Sequence, residues 1–396
     1  MKSLTLRVMT AVLTFAIGVG VATAWVFNRS DPIINPVDTT TGSNATLEMV
    51  FVLDTTGSMG GLLEGAKQRI WGIVNEVMQS SSHPNVRIGL VAFRDRGDEY
   101  VTSVVPLTDD LDKVYTTLMD YRAAGGGDTA ENVRRALTDA IDEAGWSRQS
   151  RNLAQIIFLV GDAPPHDDYR NERDTLESAR IAVERGMVVN TIQCGNAIET
   201  RAAWEAIAQR GEGQYFAIPQ NGGVVQTIAT PYDEQLSQLG SKLGSTYVPY
   251  GGGAGLAGLT FREEAKTSAD AIESRVVSTA PMATRAERSV NKAINSKAYV
   301  GDLLQDIENG SKKLDEVKSE DLPEDLRNLS SEERGKEVDK RLAERREIRN
   351  QILSLSKQRT DFIANEQKKR SGGKQNGFDI AVSSALKEQL AKKGIN

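Results

Sequence analysis

Apolar and polar positions divide the chain into two unlike halves. Between residues 47 and 240, short apolar runs alternate with stretches in which apolar residues recur every three or four positions. The runs predict strands at 47–53, 86–93, 100–105, 154–160, 187–193 and 214–218. The periodic stretches predict helices at 61–79, 110–122, 130–144, 173–185, 200–209 and 223–239. This alternation predicts an α/β fold, a doubly wound, mostly parallel sheet with helices on both faces. Ligands of such sheets bind beyond the carboxyl ends of the strands.

Past residue 240 the strand pattern vanishes. A glycine-rich hinge is expected at 241–261, followed by an α-helical C-terminal region at 262–396. One or two helices fit 262–308, with breaks at Asn309-Gly310 and Leu322-Pro323. Ser330-Ser331-Glu332-Glu333 has the form of a capping box at the head of a long helix reaching about Lys369. Val338, Leu342, Ile348, Ile352, Leu355, Phe362 and Ile363 make a narrow apolar stripe along it. Such a stripe fits one face laid on the chain's own first domain, on a second copy, or on another envelope protein. Ser371-Gly372-Gly373-Lys374 marks a further break before a last amphipathic helix at 378–390.

At the other end, Lys2 and Arg7 precede an uncharged stretch at 8–27 that is long enough to span a bilayer. The basic flank predicts a cytoplasmic N-terminus and export of the remainder. Residues 1–28 are therefore expected to be a transmembrane anchor or, with cleavage near Ala22-Thr23-Ala24, a signal peptide. Residues 29–46 read as a polar tether. The expected location is the cell membrane, facing the periplasm or exterior of a bacterium, with release if the leader is removed.

Composition narrows the chemistry. A net charge of −6 with interspersed signs argues against nucleic acid as a partner. Cys194, the one cysteine, excludes an intramolecular disulfide, and two histidines exclude a histidine-rich metal cluster. Trp71, Trp146 and Trp204 fall on helical patterns and are expected in the core.

The chain's densest chemistry is Asp54-Thr55-Thr56-Gly57-Ser58, where an apolar strand breaks into a turn and a helix. A carboxylate followed at two and four residues by hydroxyls can direct several oxygens at one point. Oxygen-only ligands suit magnesium, with manganese or calcium as alternatives. The plain alternative is that Thr56 and Ser58 cap the helix and Asp54 serves the turn. Two further pieces follow: the loop Gly125-Gly126-Gly127-Asp128-Thr129-Ala130-Glu131, and a buried strand ending Val160-Gly161-Asp162.

In this order the three pieces resemble the von Willebrand factor A (VWA) family and its metal-ion-dependent adhesion site. Arg87 to Asp95 resembles that family's second strand, and the likeness covers roughly 47–240. The resemblance implies a metal held by Asp54, Thr56, Ser58, Thr129 and Asp162. The family's Gly-Gly-Thr is interrupted here by Asp128, so Asp128 is the alternative ligand from that loop. With Thr129 as the ligand, the resemblance implies an open position for an acidic side chain of a protein partner. The expected function is a divalent-cation-dependent adhesion or scaffolding module without catalysis. The alternatives are a metal-assisted hydrolase using His166 or Glu131 as base, and an accessory subunit with a purely structural metal that self-associates or docks through its C-terminal helices. Arg96-Gly97-Asp98, an adhesion tripeptide on paper, is expected to be an ordinary charged turn.

Overall fold

The computed structural model describes residues 45–80, 83–127, 129–221, 228–370 and 377–395. The leader, most of the tether, Asp128 and the break at 371–374 lie outside the described residues.

Six strands form one sheet: β1 (Thr46–Asp54), β2 (Asn85–Phe93), β3 (Thr102–Thr108), β4 (Leu153–Gly161), β5 (Val188–Cys194) and β6 (Glu212–Ile218). Their spatial order is β3-β2-β1-β4-β5-β6, parallel except for the antiparallel edge strand β3. β3 carries Pro106, which an edge tolerates because no second neighbour needs its missing N–H. At the centre, β1 sends Met49, Phe51 and Leu53 into one core and Val50 and Val52 into the other. Burial on both faces explains why its sequence is a continuous apolar run.

The first core is closed by α1 (Gly60–Met78) and α2 (Leu111–Asp120). The second is closed by α3 (Val133–Asp142), α4 (Thr175–Glu184) and α5 (Ile198–Arg210). Trp71 and Trp204 are buried in these cores, and Trp146 is half-buried with its indole N–H donating to the Ala140 carbonyl at 2.7 Å.

The helical region comprises α6 (Asp233–Ser245), α7 (Gly255–Thr279), α8 (Met282–Ile294), α9 (Leu303–Glu308), α10 (Glu324–Arg327), α11 (Ser331–Arg370) and α12 (Phe378–Lys392). The sixth helix starts at Asp233; of the stretch expected as helix before it, 228–232 is not helical and 223–227 lies outside the described residues. Its first-turn carboxylate accepts from both the backbone N (2.8 Å) and the hydroxyl (2.9 Å) of Thr230, which fixes the start there. α6 leaves the sheet, and Leu236, Leu239 and Leu243 pack with Ala286, Val290, Ile348 and Ile352. Val338 and Leu342 of α11 enter a neighbouring cluster with Leu303, Leu304 and Leu326. The narrow stripe of α11 is thus covered by its own chain.

The glycine-rich segment after α6 is pinned: Gly251 N donates to the Asp321 carbonyl and Gly253 N to the Asp321 carboxylate, both at 2.8 Å. α12 returns to the sheet. Ala381, Val382, Ala385 and Leu386 join the same core as α1, and Gln389 exchanges hydrogen bonds with buried Asn190 of β5. The last helix of the chain is therefore part of the sheet's helical cover.

Candidate functional site

The site forms where the parallel strands β1 and β4 end side by side. Asp54 closes β1 and is 1% exposed. Its Oδ1 accepts from Thr56 N (2.8 Å) and Thr56 Oγ1 (2.6 Å), and the Thr56 and Ser58 hydroxyls lie 3.5 Å apart. These bonds hold the turn in a shape that brings the three side chains together. The other carboxylate oxygen, Oδ2, is buried and has no hydrogen-bond partner among the described residues. Gly161 makes this closeness possible, since a Cβ there would stand 3.1 Å from that oxygen. Asp162 follows it, half-buried, with Oδ2 accepting from Gln220 Nε2 at 2.5 Å and its carbonyl accepting from the Thr200 hydroxyl at 2.9 Å. Burial above all, and then the neighbouring Asp162 charge, pushes the Asp54 carboxyl up to about 7.

The glycine loop crosses this pair. Ala124 N donates to the Thr55 carbonyl (3.1 Å), and Gly57 N donates to the Gly125 carbonyl (3.3 Å). Gly125 and Gly126 have φ of +79° and +85°, and a Cβ on Gly125 would meet Asp98 Oδ1 at 2.3 Å. At the far end, Glu131 N donates to the Pro164 carbonyl (3.0 Å), and His166 N donates to the Glu131 carbonyl (3.2 Å). One foot of the loop is thus tied to the Asp54 turn and the other to the segment after Asp162. Thr129 lies exposed between the two feet. The structure brings Asp54, Thr56, Ser58 and Asp162 to one rim and carries Thr129 on the loop that spans it.

From sequence, Glu131 stands out only as a base for hydrolysis. It is 3% exposed, and its Oε2 has no hydrogen-bond partner among the described residues. The space above Gly126 is bounded by Glu131 Oε1 (3.4 Å) and Thr56 Cβ (3.5 Å). Burial first, and then the charges of Asp54, Asp95 and Asp98, push its carboxyl up to about 9. Among the described residues, no lysine or arginine pairs with Asp54, Glu131 or Asp162. The signal available in sequence was its place at the end of a glycine loop that also bears Thr129; ahead of a helix it reads as an ordinary first-turn acid.

Other candidates are tied into the rim. His166 stacks on Tyr169 at 4.1 Å, with Nδ1 3.0 Å from Asp168 Oδ1 and Nε2 3.3 Å from Asp95 Oδ2. The Tyr169 hydroxyl donates to Asp95, and the Arg96 guanidinium lies 3.7 Å above the Tyr169 ring. Asp98 accepts from Gly126 N (3.1 Å) and Asp95 N (3.2 Å). The Arg96-Gly97-Asp98 tripeptide is a turn whose carboxylate fastens the glycine loop. Cys194 is buried, and burial raises its thiol well above its ordinary range.

The family model described as the von Willebrand factor A domain matches residues 48–229, the stretch that contains every element of this rim. Over this segment the chain is similar to the von Willebrand factor A domain. Curated relatives include von Willebrand factor A domain-containing protein 7 of Rattus norvegicus, 36% identical over 123 residues. The alignment covers 31% of this chain and 12% of that protein. An ariadne-like RING finger protein of Acanthamoeba polyphaga mimivirus is 28% identical over 140 residues, 34% of this chain and 13% of that protein. The chain thus spans about an eighth of the length of the curated relatives it matches. The crystal structure of the SpRpn10 VWA domain is similar at 16% identity and a TM-score of 0.34, covering 44% of this chain and 89% of that one.

The donor chemistry of the rim suits a hard divalent cation. The donors at the rim are carboxylate and hydroxyl oxygens, one of them a buried, unpartnered carboxylate oxygen. Carboxyl groups converge there, and among the described residues no lysine or arginine pairs with Asp54, Glu131 or Asp162. The residues fit such an ion.

Proposed function

We propose that this chain is a divalent-cation-dependent protein-binding module, with magnesium held by Asp54, Thr56, Ser58, Thr129 and Asp162. The observation that carries the reading is the buried Oδ2 of Asp54, an acceptor with no donor at a rim of like charges. Leaving such a group without a partner costs stability unless a cation or proton satisfies it. When bound, the ion supplies a positive centre that an acidic side chain of a partner protein completes. The chain's own residues do the remainder. Thr56 orients Asp54 through two hydrogen bonds, Gln220 fixes Asp162, and Asp98 holds the glycine loop that carries Thr129. A bound cation would favour ionisation of Glu131, whose carboxyl is otherwise pushed up to about 9, and the ionised form would strengthen its retention.

Partner capture belongs to this rim on our reading, because the apolar stripe of α11 is occupied by its own chain. The uncharged stretch at 8–27 supports display outside the cytoplasmic membrane on an anchor. Both ring nitrogens of His166 face carboxylates, an arrangement that favours holding the rim over hydrolysis. The decisive experiment compares thermal unfolding and capture of envelope proteins by the full chain in magnesium and in EDTA, for wild type and Asp54→Asn. Magnesium must stabilise wild type, leave the variant unmoved and be required for capture. If neither property responds to magnesium, the reading fails.

A further inference from the structure

A second cavity lies away from the rim, where the helical region meets the start of α2. We propose that it binds a small organic cation, an alkylammonium or quaternary ammonium group, held against aromatic rings with Asp110 as its counter-ion. The cavity has a volume of about 260 Å³. Its walls include Tyr247 and Tyr250 from the segment after α6, Phe261 from α7, and Tyr299 from the connection between α8 and α9. The space exists because α7 presents Ala265 and Ala269 one and two turns beyond Phe261. Larger side chains at those positions would fill it.

Charge selects the ligand's sign. Two carboxylates, Asp110 and Asp112, line the cavity against one ammonium, Lys292. Asp112 is already committed, with Lys292 at 2.9 Å and the Arg288 guanidinium at 2.7 Å. Asp110 caps α2 through Lys113 N at 3.1 Å, and no cationic side chain bridges to it among the described residues. A neutral apolar ligand would strip water from that carboxylate without replacing it.

The rings favour the same sign. Lys292 Nζ lies 4.5 Å from the Tyr299 ring centre and Lys266 Nζ 5.9 Å from that of Tyr247, so the chain's own ammonium groups take those faces and leave Tyr250 and Phe261 to a ligand. Phe261 is 51% exposed, an aromatic ring open to solvent at the cavity. The buried Tyr299 hydroxyl has no hydrogen-bond partner among the described residues and is available to a polar substituent on the ligand.

The test is calorimetric titration of the full chain with choline and with its neutral isostere 3,3-dimethylbutan-1-ol. Choline should bind at least about tenfold more tightly than the isostere. Asp110→Asn keeps the helix cap and removes the charge, while Phe261→Leu keeps the apolar bulk and removes the ring. Each should weaken choline about tenfold. Ala265→Phe should abolish binding by filling the space. Thermal unfolding of every variant verifies that the fold is intact. Equal binding of choline and the isostere would overturn the proposal. So would absence of choline binding at millimolar concentration, or binding that both Asp110→Asn and Phe261→Leu leave unchanged. Asp54→Asn should not affect choline, which separates this site from the metal rim.

Discussion

β1 carries a buried carboxylate at each end, and the two could hardly be treated more differently. Glu48, near its start, is 0% exposed, and both of its oxygens are satisfied. Oε1 accepts from Arg87 and from the Ser147 hydroxyl; Oε2 accepts from Ser147 N (3.0 Å) and Gln155 Nε2 (2.8 Å). Burial alone would raise this group, yet the hydrogen bonds and the Arg87 charge outweigh it and hold the carboxyl below its usual range. Asp54, at the other end, is as deeply buried but keeps an oxygen without a donor, and it sits close enough to Asp162 to feel its charge. On the proposed reading the difference separates a structural acid, surrounded by donors, from a metal-binding one whose second oxygen has none among the described residues.

The comparison can be attacked from its structural end first. Arg87→Met removes the cation facing Glu48 and should cost about 3 kcal/mol, discounted because Arg87 is 28% exposed. A shift in the urea midpoint worth less than about 1 kcal/mol would mean that the remaining donors suffice. At the functional end, magnesium at a hundred times its dissociation constant should stabilise wild type by about 2.7 kcal/mol. The Asp54→Asn variant should gain nothing, and a gain equal to that of wild type would place the ion elsewhere.

Proton linkage gives the two ends opposite signs. A carboxyl raised on folding, as Asp54 is to about 7, loses stability as pH rises from its unfolded value toward its folded one. Without divalent cation, wild type should therefore be more stable at pH 5 than at pH 8, by on the order of 2 kcal/mol. Asp54→Asn should reduce that slope, leaving the part that Glu131, raised to about 9, contributes with the same sign. Glu48, lowered on folding, contributes stability above its unfolded value, and that contribution is lost as pH falls through the folded one. Glu48→Gln should flatten the acid limb of the same profile and leave the neutral limb alone. Thermal melts across the pH range read both effects, and like signs for the two variants would refute the distinction.

The smallest effect concerns the loop. Gly125→Ala forces a side chain into φ +79° and against Asp98, and should cost about 1 kcal/mol of stability. Its sharper readout is weaker magnesium binding, because the loop carries Thr129. Unchanged magnesium affinity would detach the loop from the site.

Much of this architecture was legible in the chain. The strand runs and helix periods located β1 to β6 and α1 to α5 within a few residues, because buried strands and amphipathic helices write their environment into local spacing. The capping box was equally readable: Ser330 N donates to Glu333 Oε2 at 3.1 Å, and Glu333 N donates back to Ser330 Oγ at 3.3 Å. Asp54, Thr56, Ser58 and Asp162 stood out because each marks the abrupt end of an apolar run.

Other features left little trace. Glu48 is one polar letter before an apolar run, and its partners Ser147 and Gln155 lie 99 and 107 residues away. Arg345 interrupts the stripe of α11 and is 0% exposed, bonded to Asp302 and to the Thr246 carbonyl. Nothing in the helix's own period distinguishes it from a solvated arginine.

The chain by itself determined which segments are strands and helices and where oxygen donors cluster, since both follow from residues near one another in sequence. Only the tertiary structure decided that α12 returns to cover the sheet while α6 leaves it, for two amphipathic helices of similar period fit many surfaces. It also decided that Glu48 is satisfied and Asp54 and Glu131 are not. A buried charge is stabilised or destabilised by donors and charges that distant parts of the chain bring to it, and local spacing carries no record of them.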